Sequence, residues 1–283
     1  MKVCLFNSFP FHYEMFGYFI DYFKDKCVVD IYTGTDMNMG WIKFYLEKFP
    51  GTIKLFPLKK FSLETRMEYD YVVVPTEEDP AFLDEWIDHR TVSVVHKHTN
   101  TQRTSIKHRV GLRYNEFLSD LSYALPIFPI SSMEKSLRRD FVVCIGNNAF
   151  DITDKERFSK QFPEGFRTIF IDRRINTLQF SAYTCYGELS TEYIMTILEN
   201  ALYVFVSPRS ECMMSASIPL ALSHKCTLIL PQNMSNYELS SAVYYDDPYK
   251  IGPLRYDENA VEHDVEVWMK RRNSVFDSIF KRR

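Results

Sequence analysis

Short apolar runs alternate along this chain with polar and amphipathic stretches. Lys2–Phe6, Cys27–Tyr32, Thr52–Phe56, Tyr69–Pro75 and Thr91–His96 read as strands. So do Phe141–Ile145, Thr168–Asp172, Leu178–Tyr183, Tyr203–Ser207 and Thr227–Leu230. Several are apolar at consecutive positions, the pattern of strands covered on both faces. Between them, helices are expected at His12–Phe23, Trp41–Lys48, Ala81–Ile87, Asp154–Gln161, Thr191–Asn200, Cys212–Ser223 and Val261–Phe280. Ser190 has the chemistry of an N-cap, and Ile194, Ile197, Leu198 and Ala201 share one face of the helix that follows. Strands alternating with helices predict an α/β fold with parallel sheets. The pattern breaks at the extended Leu125–Ile130 and the polar Ser131–Asp140, which marks a link between an N-terminal domain, 1–133, and a C-terminal domain, 134–283.

The stretch Tyr203–Pro231 organises the second half. It reads strand, loop, helix, strand, with the turn chemistry of Ser207-Pro208-Arg209-Ser210 at the first junction. A strand feeding a helix through a short polar loop offers free backbone N–H groups to an anion such as a phosphate. Arg209 and the amides of Cys212, Met213, Met214 and Ser215 are candidates to hold such a phosphate. Glu211 either accepts hydrogen bonds from ribose hydroxyls or merely caps the helix. A cationic stretch between His96 and Arg113 is either a solvated loop or a wall that meets an anion, with His96 and His98 on one face. No zinc-site spacing of Cys and His occurs, so a metal site is not expected.

Composition narrows the classes. The 283 residues are 46% hydrophobic and 25% charged, enough for ample cores. A net charge of −3 provides no global basic field for nucleic acid. Eighteen Tyr and 23 Phe against 9 Gly favour carbohydrate or base stacking weakly, since most aromatics serve cores. The six cysteines lack CxxC spacing and read as reduced thiols of a cytoplasmic protein. No signal peptide or membrane-spanning run is expected. The amphipathic C-terminal segment, with Val261, Val265, Trp268, Val275 and Ile279 on one stripe, either packs on the protein or attaches its basic residues peripherally to an anionic membrane.

The chain resembles GT-B glycosyltransferases across most of its length, most strongly from Phe141 to Pro248, where it is similar to their nucleotide-sugar-binding domain. Pro208, Ser210 and Glu211 match that family's proline-serine-glutamate loop, Leu220-Ala221-Leu222 its helix and Cys226-Thr227-Leu228-Ile229 its returning strand. Tyr244-Tyr245-Asp246-Asp247-Pro248 is similar to the strand and turn that follow. Departures are Pro219, where retaining members carry a second Glu, and Cys212 and His224, where they carry Gly. The resemblance implies two Rossmann-like domains facing across a cleft, a UDP- or GDP-sugar donor as substrate rather than a cofactor, a glycan or other hydroxyl acceptor, and no bound metal. It also implies that Gly146 and Asn147 form a turn at the diphosphate, with Lys155 or Arg157 as its cation. Some inverting GT-B enzymes place a His base in the loop after the first strand, where His12 and the competing Glu14 stand; His96 is third. The short domains are similar to those of glycosyltransferases from large DNA viruses. A nucleotide-sugar-binding protein without chemistry, or a sugar-nucleotide epimerase, fits the same residues.

Overall fold

The computed structural model describes residues 1–9, 12–34, 39–77, 79–95, 105–112, 122–131, 139–208 and 215–280. They form two compact units. Unit 1 holds the described residues of Met1–Phe128 and Trp268–Arg283, and unit 2 those of Pro129–Glu211 and Ser215–Val267.

Unit 1 is built on a parallel sheet of β1 (Val3–Asn7), β2 (Val29–Thr33), β3 (Ile53–Pro57), β4 (Tyr71–Val74), β5 (Thr91–Val95), β6 (His108–Gly111) and β7 (Ser122–Tyr123). Its order is β3-β2-β1-β4-β5-β6-β7. Every residue of β1, β2 and β5 is buried, as strands covered on both faces require. On one face Phe6 packs edge-on against Phe61 and Phe82. The unit also holds α1 (Phe16–Phe23) and α2 (Met39–Lys48). Gly17 permits close packing there, since a Cβ would lie 2.0 Å from Phe128 Cε1. A short α3 (Leu63–Met67) begins at Ser62, whose side chain accepts a hydrogen bond from Thr65 N–H.

The C-terminal residues of the chain complete unit 1. Phe276 stacks on Phe19 and Phe280 meets Phe23 edge-on. Arg272 is buried, donates to Ile127 O at 2.9 Å and pairs with Asp21 at 2.8 Å. Arg271 lies over the Tyr123 ring. Two cations of the expected basic face are therefore engaged within the unit; Lys281, Arg282 and Arg283 lie outside the described residues.

Unit 2 repeats the plan with β8 (Arg139–Ile145), β9 (Arg167–Ile171), β10 (Leu178–Gln179), β11 (Tyr183–Tyr186), β12 (Ala201–Phe205), β13 (Thr227–Pro231) and β14 (Val243–Tyr245). The order is β10-β11-β9-β8-β12-β13-β14, parallel except for the β10–β11 pair. Its helices are α4 (Asn147–Asp151), α5 (Lys155–Lys160), α6 (Thr191–Asn200), α7 (Ser217–Ser223) and the first part of α8 (Glu258–Ile279). Phe158 of α5 packs edge-on against Phe205, which stacks on Tyr245. Asp264 of α8 accepts from the amides and hydroxyls of both Ser240 and Ser241, fixing the turn before β14.

Several elements differ from expectation. Ala81–Ile87 is not a helix; only the 3-10 turn Asp84–Trp86 forms, because Phe82 and Trp86 are drawn into the aromatic cluster around Phe6. The helix expected from His12 starts as a 3-10 turn, Tyr13–Met15, and becomes α-helical at Phe16. His108–Gly111 is a strand within what read as a cationic loop. Leu178–Tyr183 is a hairpin rather than one strand, with Phe180 N donating to Tyr183 O at 2.9 Å. Cys4, Cys144, Cys185 and Cys226 are buried thiols and Cys27 is half-buried; Cys212 lies outside the described residues. Among the described residues no helix is long and apolar enough to cross a membrane.

Candidate functional site

In an open parallel sheet, chain connections leave in opposite directions from two neighbouring central strands, and the crevice beyond their carboxyl ends collects ligands. In unit 2 those strands are β8 and β12. The sequence-predicted Gly146 and Asn147 sit at the end of β8. Gly146 has φ 61° and ψ −129°, a conformation that side chains disfavour, and open space stands where a Cβ would be. Its N–H is tied to Ile171 O at 2.7 Å. The next residues do not simply end the strand but turn into α4.

Asn148 then joins both sides of the crevice. Its Oδ1 accepts from Ser207 N–H and Oγ–H, both at 3.0 Å, at the exit of β12. Its Nδ2 donates to Ser217 Oγ at 2.8 Å and Ser215 Oγ at 3.4 Å, where α7 begins. Ser207 Oγ also reaches Asp151 Oδ2 at 2.6 Å. Asn148, Ser207, Ser215 and Ser217 are all buried, so this network fixes backbone rather than presenting free groups. Ser215 is thus turned inward. Arg209, Ser210, Glu211, Cys212, Met213 and Met214 lie outside the described residues.

The cation beside the Gly146 turn, Arg174, comes from the segment that follows β9. Asp172 follows that strand, and Arg174 grips its carboxylate through Nε at 2.7 Å and Nη2 at 2.8 Å. Arg174 Nη2 also donates to Asn147 Oδ1 at 2.7 Å, and its guanidinium lies 3.9 Å from the Phe150 ring centroid. The hydrogen bonds from Arg174 hold the Asp172 carboxyl below the usual carboxylate range. The sequence-predicted Lys155 and Arg157 are elsewhere. Lys155 Nζ donates to Ile152 O at 2.8 Å and lies over Phe170, while Arg157 lies over Tyr249.

Unit 1 has its own switch point between β1 and β4. Buried Asp79 accepts from Ser8 N–H at 2.8 Å, Ser8 Oγ–H at 2.5 Å and Ala81 N–H at 3.0 Å. Buried Glu77 meets Arg109 of β6 through both carboxylate oxygens at 3.1 Å. The sequence-predicted His12 and Glu14 lie close together here, with His12 Nδ1 3.5 Å from Glu14 Oε1. His12 has φ 67°, uncommon for a residue with a side chain. Its position is braced by the next residue: Tyr13 hydroxyl contacts Thr33 Oγ1, and Tyr13 O accepts from Tyr45 hydroxyl at 2.9 Å. His96 and His98 lie outside the described residues.

Two parallel sheets in the β3-β2-β1-β4-β5 and β11-β9-β8-β12-β13 orders, each with a switch point at a polar loop, have counterparts among solved structures. A glycosyltransferase from Rickettsia africae matches with a TM-score of 0.59 at 9% identity, covering 100% of this chain and 99% of its own. The fold is GT-B. HepE of Anabaena, solved with UDP-glucose, matches this GT-B chain with a TM-score of 0.54 at 12% identity, covering 100% and 95%. A glycosyltransferase of avilamycin A biosynthesis matches with a TM-score of 0.54 at 10% identity, covering 99% and 93%. No family model matches the GT-B chain by sequence, and no curated protein does so either.

Sequence reasoning missed Asn148, Asp151, Asp172 and Arg174 in unit 2, and Glu77, Asp79 and Arg109 in unit 1. One signal was available for the first set: Asp172-Arg173-Arg174 follows directly on an apolar strand, at the carboxyl end where ligands gather. Among the described residues no group of three or more His, Cys, Asp or Glu could hold a metal ion.

Proposed function

We propose that this chain is a glycosyltransferase. Unit 2 binds a nucleotide sugar, a UDP-sugar first among donors, and the sugar passes to a hydroxyl acceptor such as a glycan without help from a bound metal. The observation that carries the reading is the switch point of unit 2: a side-chain-free turn at Gly146, a buried network through Asn148 and a guanidinium at Asn147. The GT-B fold, seen also in HepE solved with UDP-glucose, supports it.

The roles follow from chemistry. Gly146 lets the backbone approach the diphosphate. Arg174 and Arg209 offset its charge, and the amides of Cys212–Ser215 donate to its oxygens. Glu211 accepts from the ribose hydroxyls. In an inverting transfer, the acceptor oxygen forms a bond to the anomeric carbon while the bond from that carbon to the phosphate oxygen breaks. The nucleoside diphosphate leaves with the electron pair, and the acceptor proton passes to His12, with Glu14 stabilising the imidazolium or taking the proton itself.

A thermal-shift screen with UDP-, GDP- and dTDP-sugars tests the reading. Ligand at a hundredfold excess over Kd stabilises by about 2.7 kcal/mol. One donor should raise the melting temperature, and no rise with any of them contradicts the proposal. Product analysis then separates a transferase from a binder, which forms no product, and from an epimerase, which returns an epimerised nucleotide sugar.

A further inference from the structure

Unit 2 has a cavity of about 360 Å³ away from its switch point. Its floor is one face of β8, β9 and β11, onto which Phe141, Ile169 and Thr184 alternate. Its wall is α6, through Tyr193, Thr196, Ile197 and Asn200. The cavity exists because α6 carries the crossover from β11 to β12 and lies against β8 and β12, leaving the β9–β11 part of the face uncovered. Arg139 and Arg167, the first residues of β8 and β9, stand at the amino ends of these strands, opposite the end that carries Gly146 and Asp172.

The lining has a definite chemistry. Arg167 Nε donates to Thr184 Oγ1 at 3.0 Å and Nη2 to Phe180 O at 3.5 Å, both neutral oxygens. No carboxylate is present among the described lining residues. Tyr186 and Tyr193 meet edge to face with centroids 6.1 Å apart, and Tyr193 is 49% exposed.

We propose that this groove binds an acidic sugar. Its volume is at the low end for small-molecule sites, which suits one sugar unit. Guanidinium forks match the paired oxygens of a carboxylate or phosphate, and among the described residues no carboxylate lines the cavity beside Arg139 and Arg167. Tyr193 supplies a ring for the apolar face of the sugar. Thr196 Oγ1 donates to Glu192 O at 3.0 Å and Asn200 Nδ2 to Thr196 O at 2.8 Å, which leaves Thr196 Oγ1 and Asn200 Oδ1 as acceptors for the sugar hydroxyls. This reading does not rest on the proposed function, because none of these residues belongs to the donor site.

The test uses the intact chain. Glucuronic acid, glucose 6-phosphate and glucose are titrated in turn by ligand-observed NMR, with and without saturating UDP. At least one of the two acidic sugars should bind while glucose at the same concentration does not, and the stronger of the two identifies carboxylate or phosphate as the favoured anion. Arg139→Gln, at an exposed position, and Arg167→Gln should each weaken binding about tenfold, and Tyr193→Ala should weaken it less. UDP should not compete. Binding of glucose as strong as that of both acids, unchanged affinity in Arg139→Gln, displacement by UDP, or no binding of either acid would each overturn the proposal.

Discussion

Replacing Asn148 by Ala removes the acceptor of Ser207 N–H at 3.0 Å and the donor to Ser217 Oγ at 2.8 Å. Each bond contributes roughly 0.5–1.5 kcal/mol net. Ser207 is fully buried, so its amide is left without a partner, at a cost of roughly 1–3 kcal/mol. Some of these terms overlap, and the expected loss is about 2–4 kcal/mol. Ser217→Ala removes one bond and should cost about 1 kcal/mol. The assay is urea unfolding of both single variants and the double variant. Because the two side chains share a hydrogen bond, the double variant should lose less than the sum, with a coupling of roughly 0.5 kcal/mol or more. Donor affinity should fall as well, since Ser207 and Ser215 bracket the Arg209–Glu211 segment. A loss below about 1 kcal/mol for Asn148→Ala, or strict additivity, would refute the reasoning.

Two further outcomes follow. His12→Ala should lower kcat on the order of 10²–10⁴-fold with donor affinity nearly intact; a fully active variant removes His12 from the mechanism. Asp172 should contribute to acid sensitivity. Its folded carboxyl is held below the ordinary value of 3.8 by Arg174, so its contribution to stability is present above the ordinary carboxylate range and is lost as pH falls through the depressed value. The difference in melting temperature between wild type and Asp172→Asn should therefore shrink below about pH 4, and a constant difference down to strongly acid pH would contradict that linkage.

The strands were legible because burial on both faces leaves short apolar runs, as in β1, β4 and β12. What the sequence hid depends on distant partners. β6 looks like a loop because His108 and Arg109 are polar, yet Arg109 is neutralised by Glu77 from a different connection. Ala81–Ile87 has helical spacing, but Phe82 and Trp86 contribute more by packing on Phe6 than a helix would. In the site, Gly146 announces itself through its backbone freedom. Asn148 and Arg174 do not, because their roles arise only where the sheet order sets β9, β8 and β12 side by side. Lys155 was an equally reasonable cation by spacing, and its position on α5 turns it toward Phe170 instead.

The most direct test of the account is release of nucleoside diphosphate from a UDP-sugar, followed by chromatography, for wild type and Arg174→Ala in parallel. The wild type should release UDP from at least one donor when an acceptor is supplied. Arg174→Ala should lose a charge-assisted contact worth roughly 1.5–3 kcal/mol, a tenfold or greater loss in affinity for UDP, with binding of uridine little changed. Release of no nucleotide from any donor, or equal losses for UDP and uridine in the variant, would contradict the assignment of unit 2 as the donor-binding unit.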